Sequence, residues 1–360
     1  MRSLPSALAS RAVGKSLTAS GLAFALIASA AHATYPGRNG VLSVSYGFGC
    51  PGTRVATLKP DGGRLRMLTP STCREVGRVG RASWSPDGRR MIFAYQLPLG
   101  VASNLEWTRF ATMGADGSQR RDVPLPPATG LSVRGFEGQA AFAREDPTFT
   151  SDGRHVLYSR MLWEPPQFPG DSWSYPLEIW SAALDGSRDH RLGAGGLARM
   201  SPDGRRIAYV RRGTADDDPG EVWLMSARTG RPIRRLLARG ARSIDWSPDG
   251  TRVLLTSSRG SVFEPADLYV VRVSGAPLRR LTSTPRTSES DAVWSPDGRR
   301  LAVVREIRRP AGDCCEYITQ AIWMMRPDGT AQRRLRGPWT RHDEDGQGYV
   351  QISWQPLPAR

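Results

Sequence analysis

The chain has 360 residues, a formal net charge of +16, and abundant glycine, proline and tryptophan (38, 28 and 11 residues). Its length admits one large all-β domain or two ordinary domains. After residue 33 no long stretch repeats apolar residues at helical spacing, which excludes a helical bundle and favours short strands joined by tight turns.

Residues 1–33 have the pattern of a secretory signal peptide. An apolar run over 17–31 ends in the small-x-small sequence Ala31-His32-Ala33. The basic leader before it contains Arg2, Arg11 and Lys15. The run is short for a bilayer span, and an uncleaved membrane anchor is the alternative. We expect cleavage after Ala33, no stable membrane insertion, and a protein that is secreted, periplasmic or held in the cell envelope.

Removing the leader takes away three cations and no acid, so residues 34–360 carry +13. Such a balance usually indicates a polyanionic partner. Here nearly every cation is arginine, with Lys59 the only lysine after residue 33, a skew that a GC-rich genome can produce. Because export also separates the protein from nucleic acid, we expect no nucleic-acid partner.

A seven-residue motif recurs five times, with its aspartates 46 to 65 residues apart. It reads WSPDGRR at 84 and 294, MSPDGRR at 200, WSPDGTR at 246 and FTSDGRH at 149. Proline presets φ, serine and aspartate bond locally, and glycine accepts the left-handed conformation that follows. Each copy therefore predicts a tight hairpin turn.

Every repeat continues in the same order: an apolar strand, a strand with one large aromatic, a second turn, and an arginine-rich strand. The aromatics are Phe110, Trp180, Trp223, Tyr269 and Trp323. Charges on an outermost strand oppose edge-to-edge pairing. Four antiparallel strands per repeat, packed face to face around an axis, predict a β-propeller.

The two ends of the chain share one repeat. Residues 41–69 supply a second, third and fourth strand without a first, and residues 349–358 supply a first strand with nothing after it. With the five repeats headed by residues 84, 149, 200, 246 and 294, this predicts an all-β domain of six blades over residues 34–360. The C-terminal strand then closes the ring by joining the N-terminal blade.

The motifs WSPDGRR, IWMMRPDGT and RRL, with the ending SWQPLP, resemble the WD40-like (PD40) propeller repeat of the TolB family. The resemblance covers residues 38–358 and implies an exported six-bladed propeller. TolB proteins carry a small α/β domain before the propeller and bind proteins of the cell envelope. Only a few residues separate Ala33 from the first predicted strand, so that domain's interaction role does not carry over.

Long connections are confined to one face of the predicted ring, which we call the loop face; the short SPDG-type turns lie on the opposite turn face. The long connections span 96–106, 124–147, 161–176, 211–220, 257–266, 305–319 and 337–348. Binding residues usually sit on such variable loops. We predict ligand binding on the loop face by Trp163, Phe168, Trp173, Tyr175, Trp339 and His342. The alternative is that the aromatics only cover the ring.

The principal hypothesis is a monomeric, non-enzymatic propeller that binds a protein or glycan of the cell envelope without a cofactor. The alternative is a propeller enzyme of lyase or lactonase type with a cation over the central channel. Three acids precede first strands and are weak candidates for metal ligands: Asp146, Asp245 and Asp291. The arginines of the turns and outer strands are expected to face solvent, where an acidic polymer is a second candidate partner.

Four cysteines, an even number in an exported chain, favour disulfides: Cys50, Cys73, Cys314 and Cys315. A bridge between Cys50 and Cys73 would close a loop in the first blade and is slightly preferred. It leaves Cys314 with Cys315, whose Cα atoms stand only about 3.8 Å apart across a trans peptide. Two bridges between the first and last blades remain the alternative.

Overall fold

The computed structural model describes residues 34–46, 54–69, 79–96, 108–126, 142–162, 176–211, 220–258, 264–275, 277–310, 316–342 and 350–358. Every regular element within these ranges is a β-strand. The described part of the chain has no helix long and apolar enough to cross a bilayer. The predicted signal peptide and the four cysteines lie outside the described residues.

The strands of the first half follow the predicted repeats. The first blade contains β1 (Arg38–Tyr46), β2 (Arg54–Leu58) and β3 (Leu65–Met67). The second contains β4 (Val79–Trp84), β5 (Arg90–Gln96), β6 (Thr108–Gly114) and β7 (Arg121–Val123). The third contains β8 (Phe142–Phe149), β9 (His155–Leu162), β10 (Leu177–Ala183) and β11 (His190–Ala194).

The second half continues the pattern. The fourth blade contains β12 (Gly196–Met200), β13 (Arg206–Arg211), β14 (Glu221–Ser226) and β15 (Pro232–Leu237). The fifth contains β16 (Ser243–Trp246), β17 (Arg252–Ser258), β18 (Ala266–Arg272) and β19 (Arg279–Arg280). The sixth contains β20 (Ser288–Trp294), β21 (Leu301–Pro310), β22 (Glu316–Met325) and β23 (Arg333–His342), and β24 (Gln351–Leu357) follows.

The strands form six four-stranded antiparallel sheets, which confirms the six-bladed propeller. The first blade has the order β24-β1-β2-β3, so its innermost strand comes from the C-terminal end of the sequence. Leu42 pairs with Trp354 and Val44 with Ile352 in this ladder. The predicted closure of the ring therefore agrees with the observed pairing.

Hydrogen bonds within the turn motif explain its repetition. In the second blade the Ser85 hydroxyl donates to Asp87 Oδ1 at 2.6 Å, and the Arg90 amide donates to Ser85 Oγ at 3.0 Å. Gly88 takes the left-handed conformation at a φ of 67°. A short polar side chain, an acid and a glycine are thus each required, and the sequence supplies them in the five blades whose first two strands are consecutive in the chain.

A large side chain near the end of most innermost strands fills the space beside the preceding blade. Trp246 and Trp294 are completely buried there, and Trp354 is nearly so. An arginine from the preceding blade covers several of these rings: Arg206 lies over Trp246, and Arg252 lies over Trp294. The prediction that turn-motif arginines face solvent is therefore wrong for these two, because the next blade supplies a ring for them to cover.

Candidate functional site

The predicted aromatic platform falls mostly outside the described residues, where Trp163, Phe168, Trp173 and Tyr175 all lie. Trp339 and His342 are in β23 rather than in a loop, because the antiparallel pairing with β22 continues to the pair of Tyr317 and His342. The Trp339 side chain is partly buried against the apolar cluster between the sixth and first blades. The described residues thus give Trp339 a packing role, while its role in ligand binding stays a prediction.

Charged side chains converge instead on the central channel, which the innermost strands β4, β8, β12, β16, β20 and β24 surround. They stand one or three residues before the aromatic or methionine that ends each innermost strand. We call this group the channel cluster, and its members are Arg81, Asp146, Arg199, Asp245 and Asp291.

The cluster spans the channel. Arg81 in the second blade forms an ion pair with Asp291 in the sixth, and the first blade stands between these two in the ring. Asp146 and Asp245 both act electrostatically on Arg81 and on Arg199. Five charges from five blades therefore form one interacting network.

Two of the acids also accept hydrogen bonds from backbone amides on the channel side of neighbouring innermost strands. Asp245 Oδ2 accepts a hydrogen bond from the Trp294 amide at 2.6 Å, and Asp291 Oδ2 accepts one from the Ile352 amide at 2.9 Å. An innermost strand has no strand beside it on the channel side, so its amides need other partners. Asp245 thereby joins the fifth blade to the backbone of the sixth, and Asp291 joins the sixth blade to the backbone of the first.

Burial changes the proton affinity of the cluster because the charged forms lose hydration. Desolvation lowers the pKa of Arg81 well below its usual range and that of Arg199 to about 10. Desolvation likewise raises the pKa of Asp245, and hydrogen bonds from Trp294 and Thr34 offset this only in part.

Several charged atoms of the cluster have no hydrogen-bond partner among the described residues. They are Arg81 Nε and Nη1, Arg199 Nε, and Asp245 Oδ1. Buried polar atoms are nearly always paired in folded proteins, and an unpaired one is costly. The channel cluster therefore offers unused donors and one unused acceptor to another group.

The segment just before β1 crosses the turn-face end of the channel. The Tyr35 hydroxyl donates to the Phe149 carbonyl in the third blade at 2.7 Å. The Thr34 hydroxyl lies 3.0 Å from the Trp294 carbonyl in the sixth blade, on the opposite side of the ring. Both residues are buried. The described residues 34 and 35 thus cover the cluster at its turn-face end.

A second buried ionic group lies near the loop face between the fifth and sixth blades. Arg305 donates to Glu289 Oε1 through Nε and Nη2, at 3.2 and 3.0 Å, and Thr284 donates to Glu289 Oε2 at 2.8 Å. Burial raises the pKa of Glu289, while Arg305 acts in the opposite direction. Because its carboxylate oxygens are occupied by Arg305 and Thr284, this group fastens β20 to β21 rather than offering a vacant site.

The channel does not fit a metal ion well. Asp146, Asp245 and Asp291 do share it, but within the part of the chain that the structure describes no three His, Cys, Asp or Glu residues are placed to hold a metal ion. Arg81 and Arg199 stand among these acids and would oppose the binding of a divalent metal ion. Their unpaired N–H donors suit an anionic group on a ligand.

Arg81 and Arg199 were not among the candidate site residues predicted from the sequence. Their signal is positional: Arg81 and Asp291 each stand three residues before a turn-motif tryptophan, and Arg199 and Asp245 each stand one residue before the end of an innermost strand. Such offsets become informative only when the repeats are arranged as a closed ring.

No family model matches the sequence. Over 212 residues the chain is 31% identical to the Tol-Pal system protein TolB of Anaeromyxobacter dehalogenans (strain 2CP-1 / ATCC BAA-258), covering 51% of this chain and 46% of TolB. Over 110 residues it is 33% identical to the uncharacterized peptidase YuxL of Bacillus subtilis (strain 168), covering 29% of this chain and 16% of that protein. The chain therefore spans less than half the length of either curated relative.

Among solved structures, the periplasmic gluconolactonase PpgL of Pseudomonas aeruginosa is similar with a TM-score of 0.48 and 14% sequence identity. The similarity covers 89% of this chain and all of that chain.

The prediction of a non-enzymatic binding protein is wrong. The curated relatives include two proteins named as peptidases, which contradicts both that function and the expectation that the chain is not an enzyme. Similarity to TolB agrees with export of the protein, and the cleavage site stays a prediction. The chain is a TolB-like six-bladed propeller, similar over half its length to TolB and over a shorter stretch to a peptidase.

Proposed function

We propose that the protein is an exported propeller enzyme of lyase or lactonase type that acts on an acidic sugar at the channel cluster. The proposal rests on two buried guanidinium groups that have unpaired N–H donors and lie beside three carboxyl groups. Residues 34 and 35 cross the channel at its turn-face end. An ionised substrate would accept hydrogen bonds from the unpaired donors.

Arg81 and Arg199 supply recognition. A guanidinium matches the geometry of a carboxylate and keeps its charge when buried. Arg81 holds Asp291 through one terminal nitrogen, which leaves Nε and Nη1 for a ligand. In a site from which water is excluded these bonds are stronger than at an exposed surface. A uronic acid derivative provides the complementary charge as a substrate, whereas an aldonic acid provides it only as the product of lactone hydrolysis.

Asp146 is the acid of the cluster best placed for proton transfer. It is partly exposed, whereas Asp245 and Asp291 are completely buried. Its backbone is in the left-handed region at a φ of 55°, a strained conformation for aspartate of the kind found at functional sites. Asp146 interacts electrostatically with both Arg81 and Arg199, and a carboxylate is the form of the side chain that accepts a proton.

These roles suit two reactions. In β-elimination Asp146 would take the proton next to the substrate carboxylate, a carbon–carbon double bond would form, the bond to the glycosidic oxygen would break, and Asp146 would pass its proton to that oxygen. In lactone hydrolysis Asp146 would take a proton from water as the water oxygen bonds to the carbonyl carbon, and it would give that proton to the ring oxygen as the ester bond breaks. No metal is required in either sequence of steps.

The test is to assay the full mature chain with oligogalacturonate, with gluconolactone and with an aminoacyl anilide. We expect an unsaturated product from the first substrate or acid release from the second. Asp146→Asn should lower kcat by about 10²-fold or more, and Arg81→Met should mainly raise KM. Asp116→Asn, an exposed change in a turn, serves as the control. Anilide cleavage alone, or sugar turnover unaffected by Asp146→Asn, would overturn the proposal.

The proposal also includes where the protein acts, which is outside the cytoplasm. Cleavage after Ala33 would release the propeller into the periplasm or the medium, where polymeric acidic sugars are accessible. Mass spectrometry of the protein secreted by its host should find Thr34 as the first residue. A protein that retains residues 1–33 would contradict this part of the proposal.

A further inference from the structure

Thr34, the residue that follows the predicted cleavage site, lies inside the propeller. Only 2% of its surface is exposed. Its hydroxyl donates to Asp245 Oδ2 at 2.9 Å and also lies near the Trp294 carbonyl. Farther along the segment, the Gly37 amide donates to the Pro296 carbonyl at 3.2 Å. The start of the mature chain is therefore held in a defined position across the channel.

The charges beside Thr34 balance only if Asp245 stays protonated. Among the described residues the channel cluster has three carboxyl groups and two guanidiniums, so ionisation of Asp245, which its burial opposes, leaves an excess negative charge. Asp245 is completely buried, and its Oδ1 has no partner in the described part of the chain. A buried carboxylate without sufficient compensation is strongly unfavourable. One additional cation close to Asp245 would neutralise the cluster.

We propose that cleavage after Ala33 creates this cation, and that the α-ammonium group of Thr34 binds Asp245 in the mature protein. Removal of the leader then completes the channel cluster as well as releasing the chain. The inference depends on cleavage after Ala33 and is independent of the sugar chemistry, so the two can fail separately.

Covalent geometry makes the contact feasible. The nitrogen and the hydroxyl oxygen of a threonine are separated by three bonds and so lie within about 4 Å of each other. Since the Thr34 hydroxyl already contacts Asp245, its nitrogen must lie in the immediate neighbourhood of the same carboxyl group. In the uncleaved chain this nitrogen belongs to a neutral peptide bond and brings no charge.

The experiment compares three N-termini on otherwise identical full-length mature chains. One starts at Thr34 with a free amine, one starts at Thr34 with an acetylated amine, and one retains Ala33. A fusion cleaved exactly before the desired residue gives the first and third, and an acetyltransferase gives the second. At pH 6 we expect the free Thr34 chain to have a Tm at least ~2 °C above that of the other two.

The dependence on pH identifies the charge. Pairing with Asp245 should raise the pKa of the amine above its ordinary value of about 8. The extra stability is then complete below that value and is lost as the pH rises through the folded pKa. The titratable and charged groups around this segment are Asp245, which contacts Thr34, the other channel-cluster residues Arg81, Asp146, Arg199 and Asp291, and Tyr35 with its electrostatic neighbour Asp152. These are common to all three chains, so the difference in Tm isolates the amine.

Two further measurements decide the matter. In an Asp245→Asn background the difference in Tm between free and acetylated chains should disappear, because the amide carries no charge. If that variant does not fold, the reactivity of the Thr34 amine toward a labelling reagent replaces it, and protection relative to the unfolded chain is expected. Equal Tm values for the free and acetylated chains, or an amine as reactive as in the unfolded chain, would overturn the proposal whether or not sugar turnover is found.

Discussion

The guanidinium carbon of Arg252 lies 4.8 Å from the centre of the Trp294 ring, although the two residues belong to different blades. Arg252 ends the turn motif of the fifth blade, and Trp294 opens the motif of the sixth. Arg206 and Trp246 repeat this arrangement one blade earlier, at 5.6 Å. The motif therefore forms the turn of its own blade, and its last arginine also contacts the tryptophan of the following blade.

Replacing Arg252 by methionine should destabilise the protein by about 0.5–2 kcal/mol, since the aliphatic stem is retained and the cation over the ring is lost. Urea unfolding followed by tryptophan fluorescence provides the measurement. Arg299→Met is the matched control, because Arg299 belongs to the same motif and is exposed. Equal losses for the two variants would show that the contact with Trp294 contributes nothing.

Removing residues 349–360 deletes β24 and exposes the inner edge of β1. The apolar cluster between the sixth and first blades loses Trp354 and Ile352 as well. We expect the truncated protein to lose its single cooperative melting transition in calorimetry, because two neighbouring blades no longer have a complete interface. An unchanged transition would contradict closure of the ring by this strand.

Turn aspartates should make the protein sensitive to acid. Partial burial alone would raise the pKa of Asp152, but hydrogen bonds from Thr150, Arg154 and His155 outweigh it and lower the pKa to about 2. A carboxylate whose folded pKa lies below its unfolded value of 3.8 contributes stability above that value. This contribution is lost as the pH falls from about 4 to about 2.

Urea unfolding at several pH values between 5 and 2 tests this expectation. Asp152→Asn should be less stable than the unmodified protein at pH 5, and the difference should narrow toward pH 2. The difference in stability between Asp203→Asn and the unmodified protein should also become smaller toward pH 2, because the pKa of Asp203 is lowered as well. A difference that stays constant over this range would show that ionisation of Asp152 does not stabilise the turn.

Arg81 and Asp291 should be strongly coupled. Replacing Arg81 by methionine leaves a buried carboxylate, and loss of one partner from a buried pair typically costs about 3–5 kcal/mol. Adding Asp291→Asn removes the uncompensated charge while keeping an oxygen for the Ile352 amide. The double variant should therefore be more stable than the sum of the single losses implies, as measured in a double-mutant cycle. Additive losses would be evidence against the pair.

The repeat made the fold predictable from sequence. Local turn chemistry marks each corner, and the unmatched strands at residues 41–69 and 349–358 determine both the number of blades and the closure. These features depend on residues that are neighbours in the sequence, or on comparison between repeats. They can therefore be predicted without knowing how one blade is rotated relative to the next.

The channel cluster was not predictable in the same way. Arg81, Arg199 and Asp291 are far apart in the chain and meet only because the ring brings equivalent positions to one axis. Thr34 and Tyr35 precede the first repeat and belong to no motif, so nothing in the sequence indicates that they cross the channel. The extent of β23 was also missed, since its pairing beyond Gly337 depends on a partner strand rather than on a periodic pattern.

Closure by β24 also affects how the protein is made. The residues that complete the first blade, 351–357, are synthesised after every other strand of the ring. Until they emerge, the inner edge of β1 and one side of the sixth blade lack their partners, so the cooperative structure cannot form on the ribosome. If the chain is exported before it folds, as proposed above, its topology would keep the ring open until this last strand has been made.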